Sequence, residues 1–311
     1  MDKFEKDYPE RFYAKTAMRA ATLYFSKKDY KQAEQLGVKL QKMCYLPNGT
    51  EDPSKATQMV ECTSLLVQIY WETHEMRKLE KTLAIAQNKR TTVSLPRSFA
   101  PIKEKSGLLH LDQRKFADAQ HDFFDAFKYY NQINSPKAVD SLRYTLLSAM
   151  LAGTSVNPID SAEARPFLSD PAVSVLASML EAFQARNIQS FNSIVESKEK
   201  MDVIQQDPLV KSHMSEITRY MHRNKIEQLV KPYTSIRLST IADEINTDQK
   251  QVELLCAALI ADGRIDGKID QTTGLLHLEA KQDRAEKFNA IQQWTQKLAS
   301  VSSLSSTSDY Y

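Results

Sequence analysis

The fold is decided by residues 231–278, KPYTSIRLSTIADEINTDQKQVELLCAALIADGRIDGKIDQTTGLLHL, where the spacing of apolar residues changes. Apolar and polar residues alternate in SIRLS, which favours a short strand. Ser239 or Thr240 then predicts the start of one helix, and a second helical period ends before Gly263. The segments RIDGKID and LLHL flank a QTTG turn, which is typical of a β-hairpin. A strand, two helices and a hairpin in this order predict a winged helix.

The chain before this module is predicted to be helical. Four segments end one helix, make a short polar turn and open another helix: LYFSKKDYKQA at 23–33, IYWETHEMRKL at 69–79, LHLDQRKFADA at 109–119 and the weaker LEAFQARNIQSF at 180–191. The first three recur at intervals of roughly 40 residues, which is typical of stacked helix pairs. We therefore predict tetratricopeptide-like (TPR-like) repeats over residues 1–200, with an ordinary antiparallel helical bundle as the alternative.

An aromatic-rich segment, FADAQHDFFDAFKYY at 116–130, is predicted to pack in the core. Its apolar residues share one helical face, and aromatic side chains bury large areas. His121 and Asp122 precede the aromatic run and are predicted to lie on the helix surface. The expected fold is therefore mainly α-helical, with one small sheet near the C-terminus.

The C-terminal part is predicted as three further pieces. Residues 201–278 form a long helix and the winged helix, residues 279–299 form a final helix, and the polar residues 300–311 are expected to be disordered. The final helix carries an apolar stripe with the spacing of a coiled coil, and such a stripe needs partners. The residues of this stripe, with the tryptophan beside it, are Phe288, Ile291, Trp294 and Leu298.

Residues 77–105 contain eight Lys or Arg residues against two glutamates. The simpler interpretation is a helix face exposed to solvent. The more specific interpretation is a docking surface for an acidic protein partner. Nucleic acid is a weaker candidate, because no aromatic platform is interleaved with the charges. The candidate docking residues are Arg77, Lys78, Lys81, Lys89 and Arg90.

The sequence contains no familiar pattern of catalytic or cofactor-binding residues. Its six histidines form neither H-x-H nor H-E-x-x-H, and the phosphate-binding and nucleophile motifs are absent. We therefore predict no enzyme activity, no cofactor and no metal. The three cysteines suit reduced thiols in a cytosolic or nuclear protein. No apolar run approaches the roughly 20 residues of a membrane span, so no membrane partner is expected.

The charges of the winged helix argue against nucleic acid as a partner. Residues 231–278 contain five basic and seven acidic residues, whereas binding to phosphates needs a surplus of cations. A protein partner is expected instead. The last strand is predicted to be a sheet edge that can add to another sheet.

The order of helical repeats, long helix, winged helix and terminal helix resembles the PCI-domain family. These proteins are scaffold subunits of the proteasome lid, the signalosome and a translation initiation factor. The similar segments are HDFFDAFKYYNQINSPKAVDSLRYTLLSAML at 121–151, NPIDSAEARPFLSDP at 157–171, QDPLVKSHMSEI at 206–217, LVKPYTSIRLSTIADEIN at 229–246, GRIDGKIDQ at 263–271 and FNAIQQWTQKL at 288–298. NPIDSAEARPF and the tryptophan-bearing final segment favour a signalosome subunit over its proteasome-lid paralogue.

The resemblance implies a non-catalytic scaffold with a PCI domain over about residues 110–278, in the cytoplasm and nucleus. The signalosome removes a ubiquitin-like modifier from cullin-RING ligases, and its metalloprotease is a different subunit. The implied partners are that subunit and the other PCI subunits. The resemblance places Leu275, Leu276, His277 and Leu278 at contacts between winged helices. It places the stripe of the final helix in a helical bundle. Family members normally carry a further N-terminal arm that grips cullins, so direct cullin binding is in doubt for this chain alone.

Overall fold

The computed structural model describes residues 10–46, 52–87, 95–154, 156–205, 207–278 and 292–296. The chain divides into two compact units, Met1–Ile217 and Thr218–Tyr311, a division that falls later than the predicted end of the repeats at residue 200. The helices of the first unit are α1 Glu10–Ser26, α2 Tyr30–Met43, α3 Ala56–Glu72, α4 Met76–Gln87, α5 Pro96–Asp112, α6 Phe116–Gln132, α7 Lys137–Ala152, α8 Pro171–Gln184, α9 Ile188–Glu196 and α10 Lys198–Gln205.

Helix α11, Pro208–Val230, contributes residues to both units. The elements that follow it are β1 Ser235–Arg237, α12 Leu238–Ile245, α13 Gln249–Ala261, β2 Gly267–Asp270 and β3 Leu275–Leu278. Short 3-10 helices occupy Pro53–Lys55, Pro158–Asp160 and Arg165–Ser169. The prediction of a mainly helical chain with TPR-like helix pairs, a winged helix and one small sheet is confirmed.

The four repeated segments share one turn geometry. The sixth residue of each of the first three segments has a positive φ: 62° at Lys28, 57° at His74 and 60° at Arg114. Arg186 in the fourth segment has a φ of 54°. In the first turn the amide of Lys28 donates to the carbonyl of Phe25, and the next amide donates to the carbonyl of Tyr24. The other three turns repeat this pair of bonds, which is the Schellman arrangement that ends a helix in a left-handed residue.

The helix pairs share their apolar cores with their neighbours. One cluster joins Leu65 and Ile69 of α3 to Ala21 of α1 and Ala33 of α2. A second cluster joins other residues of α3 to α4 and to α5. Helix α3 therefore buries residues on two sides, as expected where one helix pair cannot cover its own apolar face.

The aromatic helix α6 packs in the core as predicted. Ala119, Phe123, Ala126 and Phe127 are each 0% exposed. A Cβ atom at Gly107 of α5 would lie 2.8 Å from the ring of Phe123. The glycine therefore allows the ring to approach the backbone of α5, and a larger residue would push the two helices apart.

Asp122 is buried, with only 4% of its surface exposed, so its predicted position on the helix surface is wrong. Three side chains of α5 surround its carboxylate: Lys103 Nζ at 2.7 Å, Ser106 Oγ at 2.5 Å and His110 Nδ1 at 3.0 Å. These positions fall on one face of α5, so a single helix supplies partners that compensate the lost hydration. The neighbouring His121 is exposed, as predicted.

Burial would by itself lower the pKa of Lys103, but the hydrogen bond and charge of Asp122, with those of Asp125, outweigh it and raise that pKa. The Lys103 ammonium is therefore held in its charged form between the two helices. The cluster acts as an ionic contact between α5 and α6, and it depends on the carboxylate of Asp122.

The left-handed turn residues give a prediction about stability. Replacing Lys28 by Gly removes the steric cost of a Cβ atom at positive φ, so Lys28→Gly should stabilise the chain by about 0.5–1 kcal/mol. The matched control is Gln35→Gly in the interior of α2, which should destabilise by about 1 kcal/mol. Urea unfolding measures both, and a loss of stability in Lys28→Gly would contradict the strain assigned to this turn.

The buried carboxylate gives a second prediction. Asp122→Ala should lower the free energy of unfolding by about 3–5 kcal/mol, because it leaves Lys103 without its closest counter-charge. Asp118→Ala, an exposed acidic residue in the first turn of the same helix, should cost less than about 1 kcal/mol. Similar costs for the two variants in urea unfolding would show that the cluster does not stabilise the repeats.

Candidate protein-interaction site of the winged helix

The sheet of the winged helix has three antiparallel strands in the order β1-β3-β2. Ile236 of β1 and Ile269 of β2 both pair with Leu276 of β3. Leu276 is 0% exposed and Ile236 is 6% exposed, so this row of side chains faces the core of the module. The side chain of Leu276 therefore belongs to the core of the module.

The prediction that β3 is a sheet edge is wrong. Both sides of residues 275–278 are paired, one with β1 and the other with β2. The physical reason is the direction of the hairpin: β3 turns back between β2 and the earlier strand β1, and it fills the gap between them. Its backbone groups are therefore not available to a strand of another protein.

The open edges belong to β1 and β2. The amide of Leu278 donates to the carbonyl of Thr234, and the amide of Leu238 donates to the carbonyl of Gly274. Because backbone groups alternate along a strand, the amides and carbonyls of Ser235 and Arg237 point away from β3. No other described strand pairs with these outer edges.

The same alternation applies on the other side of the sheet. The amide of Leu278 points toward β1, so the backbone amides and carbonyls of His277 and Leu275 point toward β2. Those of their partners Lys268 and Asp270 therefore point toward β3. The amides and carbonyls of Gly267 and Ile269 then lie on the outer edge. A Cβ atom at Gly267 would lie 2.5 Å from the carbonyl oxygen of His277, so this edge strand requires glycine there.

The predicted interface side chains differ in exposure. Leu276 is buried, Leu275 and Leu278 are half-buried, and His277 is exposed. Only His277 presents most of its side chain to solvent, while Leu276 holds the module together. A contact of residues 275–278 with another protein stays a prediction, and it now rests on side chains rather than on a strand edge.

Helix α12 begins earlier than predicted. It starts at Leu238, directly after β1, and Arg237 is its N-cap residue without a side-chain cap, so the predicted start at Ser239 or Thr240 is wrong. The amide of Leu238 has no acceptor within its own helix, because it lies in the first turn. It donates to the carbonyl of Gly274 in the hairpin turn. The hairpin thus supplies the acceptor that a capping hydroxyl would otherwise provide.

Ion pairs connect the end of α11 to the end of α13 within the second unit. Arg223 contacts the carboxylate of Asp262, and Arg264 Nη1 lies 3.8 Å from Glu227. Two of the basic residues near the winged helix are therefore compensated by carboxylates. This arrangement supports the prediction that the module lacks the surplus of cations needed for a phosphate backbone.

Of the residues predicted for the terminal bundle, Trp294 lies in the short described helical segment 292–296 and is 73% exposed. Phe288, Ile291 and Leu298 lie outside the described residues. The bundle contact stays a prediction. The exposed indole is the part of this predicted contact that the structure describes.

The candidate basic surface is only partly basic. Arg77 and Lys81 are exposed on α4, whereas Lys78 Nζ lies 2.8 Å from Glu34 and 2.7 Å from Glu75. Its hydrogen bonds to these two glutamates raise the pKa of Lys78. Lys89 and Arg90 lie outside the described residues. The docking role stays a prediction, with Lys78 already matched by two carboxylates.

Sequence reasoning missed the residues that form the open strand edges. Gly267 and Ile269 were placed inside a hairpin, and the sequence gives no sign of which hairpin strand lies outermost. Leu254 was missed as well: it is 71% exposed on α13 and lies off the buried stripe of that helix. An apolar residue outside the stripe was the available signal.

No group of His, Cys, Asp and Glu residues that could hold a metal ion occurs in the described part of the chain. Among the described helices, none has the length and apolar character needed to cross a membrane.

These observations define a class of protein. The described residues combine helical repeats with a winged helix that has an acidic balance and two open strand edges. Residues 198–280 match the model of the PCI domain, and this match confirms the resemblance to that family. The match begins within the described helix Lys198–Gln205 and extends just beyond β3.

Over most of its length the chain is similar to one particular protein, COP9 signalosome complex subunit 2. It is 31% identical to that subunit from Dictyostelium discoideum over 94% of this chain and 65% of the relative. It is 28% identical to that of Drosophila melanogaster over the same shares, and 31% identical to that of Neurospora crassa over 93% of this chain and 58% of the relative. The chain thus spans less than two thirds of the length of these relatives.

The proteasome alternative is more distant. The 26S proteasome non-ATPase regulatory subunit 11 of Dictyostelium discoideum is 22% identical over 70% of this chain and 54% of the relative. The identity and the covered share are both lower than for the signalosome subunits, so the signalosome resemblance is favoured.

The central position of β3 gives a prediction for this module. Leu276→Ala removes a side chain that is 0% exposed, so it should cost about 2–5 kcal/mol of stability. Hydrogen exchange of the amides in β1 and β2 should rise in the full chain, because both strands pair with β3. His277→Ala, on the exposed side of the same strand, should leave that exchange within about twofold of the wild type. Equal exchange in the two variants would contradict the central role of Leu276.

Proposed function

We propose that this chain is a non-catalytic scaffold subunit of a COP9 signalosome. The observation that carries the proposal is its similarity to COP9 signalosome complex subunit 2 over 94% of its length, together with the PCI domain match at 198–280. The signalosome removes a ubiquitin-like modifier from cullin-RING ubiquitin ligases. This chain contributes to that reaction by holding other subunits, and a separate metalloprotease subunit performs the chemistry.

The partners in this proposal are the other PCI subunits and the metalloprotease subunit, with cullin-RING ligases as the substrates of the whole complex. Direct cullin binding is not assigned to this chain. No cofactor, nucleic acid or membrane takes part. The proposed location is the cytoplasm and nucleus, which is consistent with the reduced, buried thiols of Cys44, Cys62 and Cys256.

The winged helix joins its neighbours by strand addition at the open edges. The outward amides of Ser235 and Arg237 and the outward carbonyl of Ser235 offer two donors and one acceptor to an incoming strand at β1. The outward amides and carbonyls of Gly267 and Ile269 offer donors and acceptors at β2. Unpaired strand edges in a native protein are normally short, charged or covered, and both of these strands are short. A neighbouring subunit would cover them in the complex.

The test is affinity purification of the full-length native protein, followed by mass spectrometry of the proteins that co-purify. Signalosome subunits in stoichiometric amounts are expected, whereas recovery of proteasome-lid subunits instead would favour the alternative. If neither set co-purifies, the scaffold proposal fails.

Arg237→Pro tests the strand edge. Arg237 has φ −76° and ψ 137°, a conformation that proline adopts, and its amide points away from β3. The variant should fold but lose one outward donor, and recovery of the subunit that adds at β1 should fall about tenfold. Arg237→Ala removes the side chain and keeps the amide, so recovery should stay within about twofold. Equal recovery with both variants would contradict strand addition at β1.

A further inference from the structure

A groove lies between the second helix of the winged helix and strand β2. Its volume is about 600 Å³, and its apolar lining comes from Leu254 and Ala257 of α13 and Ile269 of β2. Leu254 is 71% exposed, although the adjacent Leu255 is buried in the core. The groove therefore has an apolar floor with a leucine side chain open to solvent, and it does not depend on the backbone edges of the sheet.

The rim of this groove is negative. The described residues that line it include two carboxylates, Glu253 and Asp270, and no Lys or Arg. Lys250 lies one turn before Leu254 on the same helix, outside the lining. An occupant of the groove therefore meets carboxylates on both sides, one from the helix and one from the hairpin.

Both carboxylates are held in place by hydrogen bonds. The side-chain amide of Gln271 donates to Glu253. Thr272 donates to Asp270 Oδ1 from its hydroxyl at 2.6 Å and its amide at 2.9 Å, and Thr273 Oγ1 donates to Oδ2 at 2.8 Å. The Thr272 and Thr273 hydroxyls lower the pKa of Asp270 to about 2, so the carboxylate stays ionised at physiological pH.

Because both carboxylates are already held by hydrogen bonds, little conformational entropy is lost when a ligand binds beside the exposed leucine. The same groups oppose a phosphate backbone, which would approach this helix in a DNA-binding winged helix. A positively charged protein segment fits both the negative rim and the exposed leucine. Its cations would pair with the carboxylates, and an apolar side chain would cover Leu254.

We propose that the groove between α13 and β2 binds a segment of another protein that inserts an aliphatic or aromatic side chain against Leu254 and carries a Lys or Arg beside it for Glu253 and Asp270. The groove is a second interaction surface of the winged helix, formed by side chains. It adjoins the open edge of β2, because Ile269 belongs to both. It does not depend on which complex the chain joins.

Photo-crosslinking tests the occupant. The full-length protein, expressed in its own cells with p-benzoylphenylalanine in place of Leu254, is irradiated, and the crosslinked peptides are sequenced by mass spectrometry. The expected product is one segment of another protein with an apolar residue at the crosslink and a Lys or Arg within about four positions. The same group at Glu244, which is exposed on α12 and does not line the groove, should not yield this segment.

Charge exchange tests the rim. Glu253→Lys should reduce the crosslink from position 254 about tenfold, and Glu244→Lys, the same change outside the groove, should reduce it less than twofold. Replacing the cation of the captured segment by Glu should restore the crosslink with Glu253→Lys. Unchanged hydrogen exchange of β1 to β3 confirms that the variants remain folded.

Several results would overturn the proposal. These are the absence of a crosslink, a crosslink only to this chain or to nucleic acid, a captured segment without a cation, and a yield that Glu253→Lys leaves unchanged. These results do not decide the scaffold proposal, because co-purification of signalosome subunits is measured separately with the wild-type protein.

Discussion

The strand Leu275–Leu278 is hydrogen-bonded on both sides, and the organisation of the second unit depends on this position. Because β3 fills the space between β1 and β2, it joins strands that are separated by two helices in the sequence. Leu276 then brings Ile236 and the half-buried Ile269 into one row. The same arrangement leaves β1 and β2 as the open edges, so the centre of the sheet provides stability and its borders carry the unpaired backbone groups.

In the first unit the comparable constraint is the way in which successive helices end. Six described turns of this unit use a left-handed residue, and at the four turns of the repeated segments this residue is Lys, His or Arg rather than Asn or Gly. The strain of these positions is tolerated because the helices on either side share a core with their neighbours, as in the clusters around α3. A carboxylate is also accommodated in this unit, since Lys103, Ser106 and His110 of α5 surround Asp122 of α6.

Much of the fold could be predicted from local patterns. Helical repeats, the aromatic core of α6 and the order of elements in the winged helix follow from the spacing of apolar residues, which records whether a segment is helix or strand. The predictions that failed concern contacts between distant segments. Asp122 was placed on the surface because it is charged, and its partners lie on another helix. Residues 275–278 were placed at an edge because they form the last strand, although strand order does not follow sequence order.

The candidate surfaces show the same division between local pattern and tertiary contact. By itself the sequence determined the helix-pair repeats, the winged helix and the acidic balance that disfavours nucleic acid, because these depend on local spacing and on charge counts. Only the tertiary structure decided that β1 and β2 are the open edges, that Lys78 is matched by two glutamates, and that Leu254 lies between two fixed carboxylates. The physical reason is that strand pairing and ion pairing join groups far apart in the chain, and local periodicity does not encode which groups meet.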